Sequence, residues 1–525
     1  MGNRFRLCMA TLVAVALSAS VPTVAAGSDT YTKAADSAAL RTWAADTWRS
    51  FDAMVAPRTG LPADHIDGSL SRWSASRYTS PTNIGMYIWA TVAARDLGLI
   101  TAGQARSRLA KTLGTLAHMP RHPASGMFYN WYDPRTGAKI TTWPEPPNNP
   151  VEPFLSSVDN GWLASALILV ANAEPKLRAQ AWALVTSMDF GFYYDPNGNP
   201  DANTGLIRGG FWDQKPAGCS VQGNYRGRGP DVYYTCHHYG SFNTEPRIAS
   251  YIGIALGQIP ADHYFGGWRT FPNTCDWSWP EMRPEGGWRD YVVNGKTVHV
   301  FEGTYRYADK RFVPTWGGSM FEALMVPLVV PEEQWGTTSW ARTHPLYVEA
   351  QQQYGLAEAK YGYWGFSPSS DPAGGYREYG VDALGMEPNG YTSDAARRTL
   401  VDYGWNDPAC PRAPAPITDY DGGVVTPHAS FLALDFDRTG SMANLRALRA
   451  GFPDLYGRGG FKDAVNVSTG QVADRYLSLD QGMVMAAIAN ELTGDRFQRY
   501  VATTLEPTLR PLMAMEVFNA GRVGP

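Results

Sequence analysis

Several acidic residues of this chain stand where a solvated charge would be out of place. Asp159 lies in Pro-Phe-Leu-Ser-Ser-Val-Asp-Asn-Gly-Trp-Leu, and Glu245 in Ser-Phe-Asn-Thr-Glu-Pro-Arg-Ile. Glu322 is set in Thr-Trp-Gly-Gly-Ser-Met-Phe-Glu-Ala-Leu-Met, and Asp480 in Tyr-Leu-Ser-Leu-Asp-Gln-Gly-Met-Val-Met. Asp419 and Asp421 precede Gly422-Gly423 and the apolar stretch Val424-Val425-Thr426-Pro427-His428. Glycosidic hydrolysis needs such a set, with one carboxyl to protonate the leaving oxygen and another to activate water or attack. A shielded, aromatic-lined cleft pushes the two pKa values apart. Each residue also has a plainer role. Asp159 would complement a helix dipole from its first turn. Glu245 would cap a helix or pair with Arg247, and Glu322 would be a buried, hydrogen-bonded support.

Other chemistries fit less well. Asp195-Pro-Asn-Gly-Asn-Pro-Asp-Ala-Asn203 alternates oxygen side chains like part of a calcium loop, but Leu206 stands where the bidentate Glu belongs, and two prolines favour a hairpin tip. Calcium at 195–203 is a minor alternative to an expectation of no cofactor and no metal. Gly-x-Ser-x-Gly is absent, which argues against a serine hydrolase.

These acids must be held by elements, and the recurring pattern is an apolar helix, a Gly/Pro/aromatic loop, then another helix. Helices are expected over 36–54, 82–97, 102–117, 157–172, 175–188, 244–257, 317–328, 345–356, 425–435, 440–450, 479–492 and 495–515. Thr101, Ser156-Ser157 and Thr244 are the expected N-caps. Strand-like stretches are short, with 291–301 reading as one hairpin around Val-Asn-Gly. No linker divides the chain after residue 35, and no fixed repeat marks a solenoid. The expectation is one all-α domain over 27–525, a double ring of helices or (α/α)6 barrel, with a pair of helical domains as the alternative. Segments 119–155, 189–243, 258–316 and 357–423 are too long for plain connections and too rich in Trp, Tyr and Gly for disorder, so they should build a cleft at one mouth.

Composition supports this placement. The 525 residues include 18 Trp, 28 Tyr and 20 Phe, an excess that suits stacking on sugar rings. Lys+Arg 45 against Asp+Glu 49 gives a net charge of −4, which argues against nucleic acid as a partner. Residues 1–26 run from Arg4 and Arg6 through a short apolar stretch to Val24-Ala25-Ala26, the pattern of a secretory signal peptide. The mature chain is expected to be secreted or periplasmic, without a membrane anchor, and monomeric. Beyond Cys8, four cysteines remain and allow three pairings. Cys219–Cys236 with Cys275–Cys410 is favoured over a zinc site, because no C-x-x-C pair exists and His237 and His238 are adjacent.

Met127-Phe-Tyr-Asn-Trp-Tyr-Asp-Pro-Arg-Thr-Gly137 and Ser156-Ser-Val-Asp-Asn-Gly161 are followed by Trp316-Gly-Gly-Ser-Met-Phe-Glu322, Tyr363-Trp-Gly-Phe-Ser367 and Gly374-Gly-Tyr376. Val425-Thr-Pro-His-Ala429, Gly460-Phe-Lys-Asp-Ala464 and Asp480-Gln-Gly482 complete the series. In this order, over about residues 80–495, it resembles the glucoamylase-like domain shared by bacterial endo-β-1,2-glucanases and cyclic β-1,2-glucan synthases. The resemblance implies an (α/α)6 barrel and a hydrolase of a β-linked glucan or related bacterial polysaccharide, inverting in mechanism. It places Glu245 at the general-acid position and Asp421, or Asp419, at the general base. Asp159, Glu322 and Asp480 would position these groups or the sugar hydroxyls. Trp131, Tyr132, Trp316, Tyr363, Trp364, Tyr376 and His428 are the candidate substrate-binding residues. Gly365-Phe-Ser-Pro368 lacks the Glu that synthase-type relatives carry after Gly-Ile-Ser, which disfavours transglycosylation. A non-catalytic glycan-binding protein on the same fold and a polysaccharide lyase are the alternatives.

Overall fold

The computed structural model describes residues 26–272, 283–386, 406–407, 410–411 and 422–524. Asp419, Asp421, Cys8, Cys275, the side chain of Cys410 and the leader stretch 1–25 lie outside the described residues. The chain forms two compact units, Met1–Ala39 and Leu40–Pro525. The first contributes the opening turns of helix α1 (Ala26–Met54), and every later element belongs to the second.

The helices that follow are α2 (Pro81–Asp96), α3 (Ala102–Leu116), α4 (Ser157–Ala173), α5 (Arg178–Ser187) and α6 (Arg247–Ala255). They continue as α7 (Met320–Leu324), α8 (Glu332–Trp335), α9 (Trp340–Gln353), α10 (Pro427–Leu432), α11 (Arg438–Gly451), α12 (Ser478–Thr493) and α13 (Arg496–Met515). Helix α2 packs on α4, α4 on α6, α7 on α10, and α12 on both α10 and α2. Arg247 of α6 closes the circuit by donating to the carbonyls of Glu322 and Ala323 in α7 at 3.0 and 2.7 Å. These helices form an inner ring. Helices α3, α5, α9 and α11 return outside α2, α4, α7 and α10, and Trp48 and Phe51 of α1 pack on Tyr87 of α2. The architecture is the expected (α/α)6 barrel.

Sequence sorts the rings. Residues Pro81–Ala94 of α2 are all buried, and α4 and α12 are buried around almost their whole circumference. Such helices are apolar on every side. Outer helix α13 instead shows one apolar stripe through Val501, Leu505, Leu509 and Leu512. Inner helices approach closely through glycine. A Cβ on Gly161 of α4 would come 3.0 Å from that of Ala249 in α6, and one on Gly85 of α2 would come 3.1 Å from the carbonyl of Trp162.

The expected helices are found with shifted ends. The 317–328 stretch splits into α7 and a 3-10 turn at Val326–Leu328, where Pro327 cannot continue an α-helix. Helix α9 begins at Trp340, five residues before the expected start, with Pro345 inside it. Helix α8 was not expected. Thr101 and Ser156 cap α3 and α4, but Thr244 donates to the carbonyl of Ser241 and does not cap α6, which starts from Pro246. The hairpin is present as Trp288–Val293 paired with Lys296–Phe301, turning at Asn294 and Gly295 with φ of 52° and 82°. A four-stranded sheet orders Phe154–Ser156, Gly210–Trp212, Val232–Thr235 and Ser220–Gly223, and the Cys219–Cys236 disulfide closes its outer pair with Cα atoms 5.8 Å apart.

Candidate active site

Asp159, Glu322 and Asp480 are each the third residue of an inner helix, and Glu245 lies two residues before the start of α6. The helix starts meet one another. Thr82 at the start of α2 donates to Asp159 Oδ1 at the start of α4 at 2.6 Å. His428 at the start of α10 lies 3.3 Å from Asp480 Oδ2 at the start of α12. The barrel therefore gathers these acids at one end.

A cavity of about 520 Å³ opens there, lined by Glu245, Glu322, His238, Tyr239, Trp268, Phe271 and Trp316. Glu322 is held rigidly. Ser319 caps α7, and the Glu322 carboxylate accepts from Gly317 N–H at 3.0 Å, Ser319 N–H at 3.2 Å and Ser319 Oγ at 2.9 Å. Burial raises the pKa of Glu322, but these donors favour its ionised form. Glu245 faces the cavity while surrounded by protein. Burial first, then the charge of Glu322, push its pKa up to about 8, against the opposing pull of its backbone and Arg247. Of the pair, Glu245 keeps the proton. Asp159 adds to that shift from α4, and burial raises its own pKa against hydrogen bonds from Thr82 and Ser156.

A second acidic group lies beside the first. Asp480 is 1% exposed and Asp463 is 2% exposed. Ser370 N–H donates to Asp463 Oδ2 at 2.5 Å, and Asp463 and Asp480 feel each other's charge. Burial pushes Asp463 well above the carboxylate range and Asp480 up to about 7. Asp64, bound by Asn83 Nδ2 at 2.7 Å and close to His65 Nδ1 at 3.0 Å, raises Asp480 further. Tyr376 feels the charges of both groups. The residue is 47% exposed, yet its hydroxyl feels the charges of Asp480, Asp463, Glu378 and Glu245, and burial of that hydroxyl raises its pKa far above the tyrosine range.

The other expected wall residues are scattered. Trp316 lines the cavity, but Trp131 packs edge-on against Tyr78 and Trp143, with ring centres 5.5 and 5.3 Å away. Tyr132 is fully buried, its hydroxyl donating to Pro120 O and accepting from Tyr129 N–H. Trp364 is 2% exposed with its backbone tied to Asn444, and Tyr363 packs on Phe452. None of these four reaches the cavity. His428 instead joins the Asp463–Asp480 group. The 195–203 segment forms a hairpin in which Asp195 Oδ2 accepts from Arg208 at 2.8 Å and lies 2.9 Å from His238 Nε2, so cationic and N–H partners already occupy the oxygen a calcium ion would need.

Asp463, Trp268 and Phe271 were not singled out in the sequence. Asp463 lay within the Gly-Phe-Lys-Asp-Ala motif and met the same criterion as the others, an acid among apolar neighbours. Trp268 and Phe271 lie in one of the long loops, and only the fold chooses them from its many aromatics.

Residues 288–502 match the family model described as "Putative glucoamylase", and residues 42–192 match that of a protein family of unknown function. A segment of 135 residues is 38% identical to the cyclic beta-(1,2)-glucan synthase NdvB of Rhizobium meliloti (strain 1021). That segment is 25% of this chain and spans only 4% of the synthase. The chain is related to the glucoamylase-like family. Among solved structures, an endo-beta-1,2-glucanase from Chitinophaga pinensis with sophorotriose and glucose shares the fold at a TM-score of 0.59 and 15% identity, over 91% of this chain and 98% of that one. An endo-beta-1,2-glucanase mutant from Talaromyces funiculosus with beta-1,2-glucan matches at 0.59 and 13%, over 94% of each chain. A glucoamylase-like protein from Bacteroides uniformis matches at 0.60 and 17%, over 90% and 96%. No helix among the described residues is long and apolar enough to cross a membrane.

Proposed function

We propose that this chain is an exported glycoside hydrolase that cleaves a β-linked glucan, β-1,2-glucan being the first substrate to try. One observation carries the reading: Glu245 retains a proton near neutral pH, opposite a hydrogen-bonded Glu322, on the wall of an aromatic-lined cavity. A general acid must hold its proton until the leaving oxygen needs it. Trp268 and Trp316 offer flat faces for sugar rings. Asp421, with Asp419 as its substitute, is the proposed base, on the strength of sequence resemblance alone. Inversion is the proposed outcome, which requires the acid and base carboxyls about 6.5–9.5 Å apart and not about 5–5.5 Å. Asp159 and Glu322 position the acid, and Asp480 acts from the adjoining acidic group.

The test is incubation of the purified protein with a panel of glucans, β-1,2-glucan included, with reducing ends, unsaturated products and anomeric configuration monitored. New reducing ends with inverted anomers are expected. No new ends from any glycan would overturn the reading in favour of a glycan-binding protein, and ultraviolet-absorbing products would favour a lyase. Asp421→Asn should lower kcat by about 10²–10⁴-fold in a folded protein.

A further inference from the structure

His428, Asp463 and Asp480 converge from three separate places in the fold: the start of α10, the loop before α12, and the first turn of α12. One ligand atom from each lies within 4.8 Å of the other two. All three side chains are at most 2% exposed. Their polar atoms are poorly satisfied. His428 Nε2, Asp463 Oδ1 and both oxygens of Asp480 find no well-aligned hydrogen-bond partner among the described residues. The hydroxyls of Ser369 and Ser370, on the strand that donates to Asp463, are buried and unpartnered too. Leaving buried polar groups unpaired is costly, so this concentration in one place calls for an occupant.

The chemistry of the donors selects it. We propose that His428, Asp463 and Asp480 hold a divalent transition-metal ion of the Zn²⁺ or Mn²⁺ class, with the remaining coordination positions taken by water. An imidazole with two carboxylates suits such ions and makes a poor calcium site. Three protein ligands with open positions is a common catalytic-zinc arrangement, and a tetrahedral shell with bonds of about 2.0–2.2 Å places neighbouring ligand atoms about 3.4 Å apart. Thr426 Oγ1 stands 2.7 Å from His428 Nδ1, an outer partner of the kind that fixes the ring and tautomer of a ligating histidine. Two adjacent buried carboxylates also need either a proton or a cation between them.

The experiment needs no substrate. The full-length protein is stripped with a chelator, reloaded separately with ZnCl₂, MnCl₂ or CaCl₂, desalted, and assayed for metal per chain and for thermal midpoint. Co²⁺ serves as a visible-absorption probe of the ligand shell. The expected result is about one retained zinc or manganese ion per chain, a raised midpoint, and no retention of calcium. Asp463→Asn and Asp480→Asn should bind at least about 100-fold more weakly, and Thr426→Val about 10-fold more weakly. Asn matches the shape of each carboxyl and carries no charge to bury, so the metal-free variants should melt at or above the stripped wild type, which separates lost binding from lost folding. Wild-type protein that retains neither zinc nor manganese would overturn the proposal. So would Asn variants that bind these ions as tightly as wild type.

Discussion

At the scale of the residue, Glu245 concentrates the chemistry and its opposing demands. Burial and the neighbouring Glu322 charge lift its pKa to about 8, so kcat/KM should decline as pH rises through that value and the acid loses its proton. Glu322→Gln removes the nearby negative charge and leaves the amide its N–H partners. The alkaline limb of the pH profile should then move to lower pH, and a limb unmoved in Glu322→Gln would refute the coupling. The same shift bears on stability. A carboxyl whose folded pKa lies above its unfolded value of 4.5 stabilises the fold fully below that value, and the contribution is lost as pH rises through about 8. Glu245→Gln should accordingly lower kcat by about 10²–10⁴-fold, match wild type in thermal midpoint at pH 4, and exceed it at pH 8. The identity of this residue was legible from one line of sequence, as an acid in an apolar helix start. Its protonation was not, because that depends on Glu322, 77 positions away in the chain.

At the scale of the element, the site rests on helix starts and on what braces them. An N-terminal first turn presents unsatisfied N–H groups and a partial positive charge, which explains why these acids recur there. Desolvation nevertheless wins at Asp159 and Asp480, whose pKa values are raised despite that field. The α6 start is fixed by Arg247, which forms a double hydrogen bond with Glu332 of α8, both at 2.8 Å, and reaches the carbonyls of α7. Arg247→Ala would leave Glu332 buried without its charge partner and should cost about 3–5 kcal/mol in denaturant unfolding. Breaking the Ser319 cap with Ser319→Ala should cost about 1–2 kcal/mol and loosen Glu322, so the pH limb of Glu245 should move as well. The sequence located these helices because their apolar patterning is local. It placed the cap of α6 at Thr244 because a threonine before Glu-Pro fits the pattern, whereas in the fold that hydroxyl turns back to Ser241.

At the scale of the Leu40–Pro525 unit, closure of the ring brings the helix starts together. That closure depends on close approach between inner helices at Gly161 and Gly85. Gly161→Val would force α4 and α6 apart where Glu245 emerges, with an expected loss of about 1–3 kcal/mol and a larger fall in kcat than in stability. Equal activity with a lowered thermal midpoint would mean that the α4–α6 contact does not position the acid. The sequence by itself determined the alternation of apolar helix and aromatic loop, the buried character of the inner helices and the acids Asp159, Glu245, Glu322 and Asp480 at helix starts, and it favoured Cys219–Cys236 among three pairings. These follow from short-range patterning, composition and loop length. Tertiary structure alone decided which acids face one another, that Trp268 and Phe271 and not Tyr132 or Trp364 line the cavity, and that His428, Asp463 and Asp480 share one buried place. Those outcomes depend on contacts between residues tens to hundreds of positions apart, and on the desolvation such contacts impose, neither of which any local window of sequence contains.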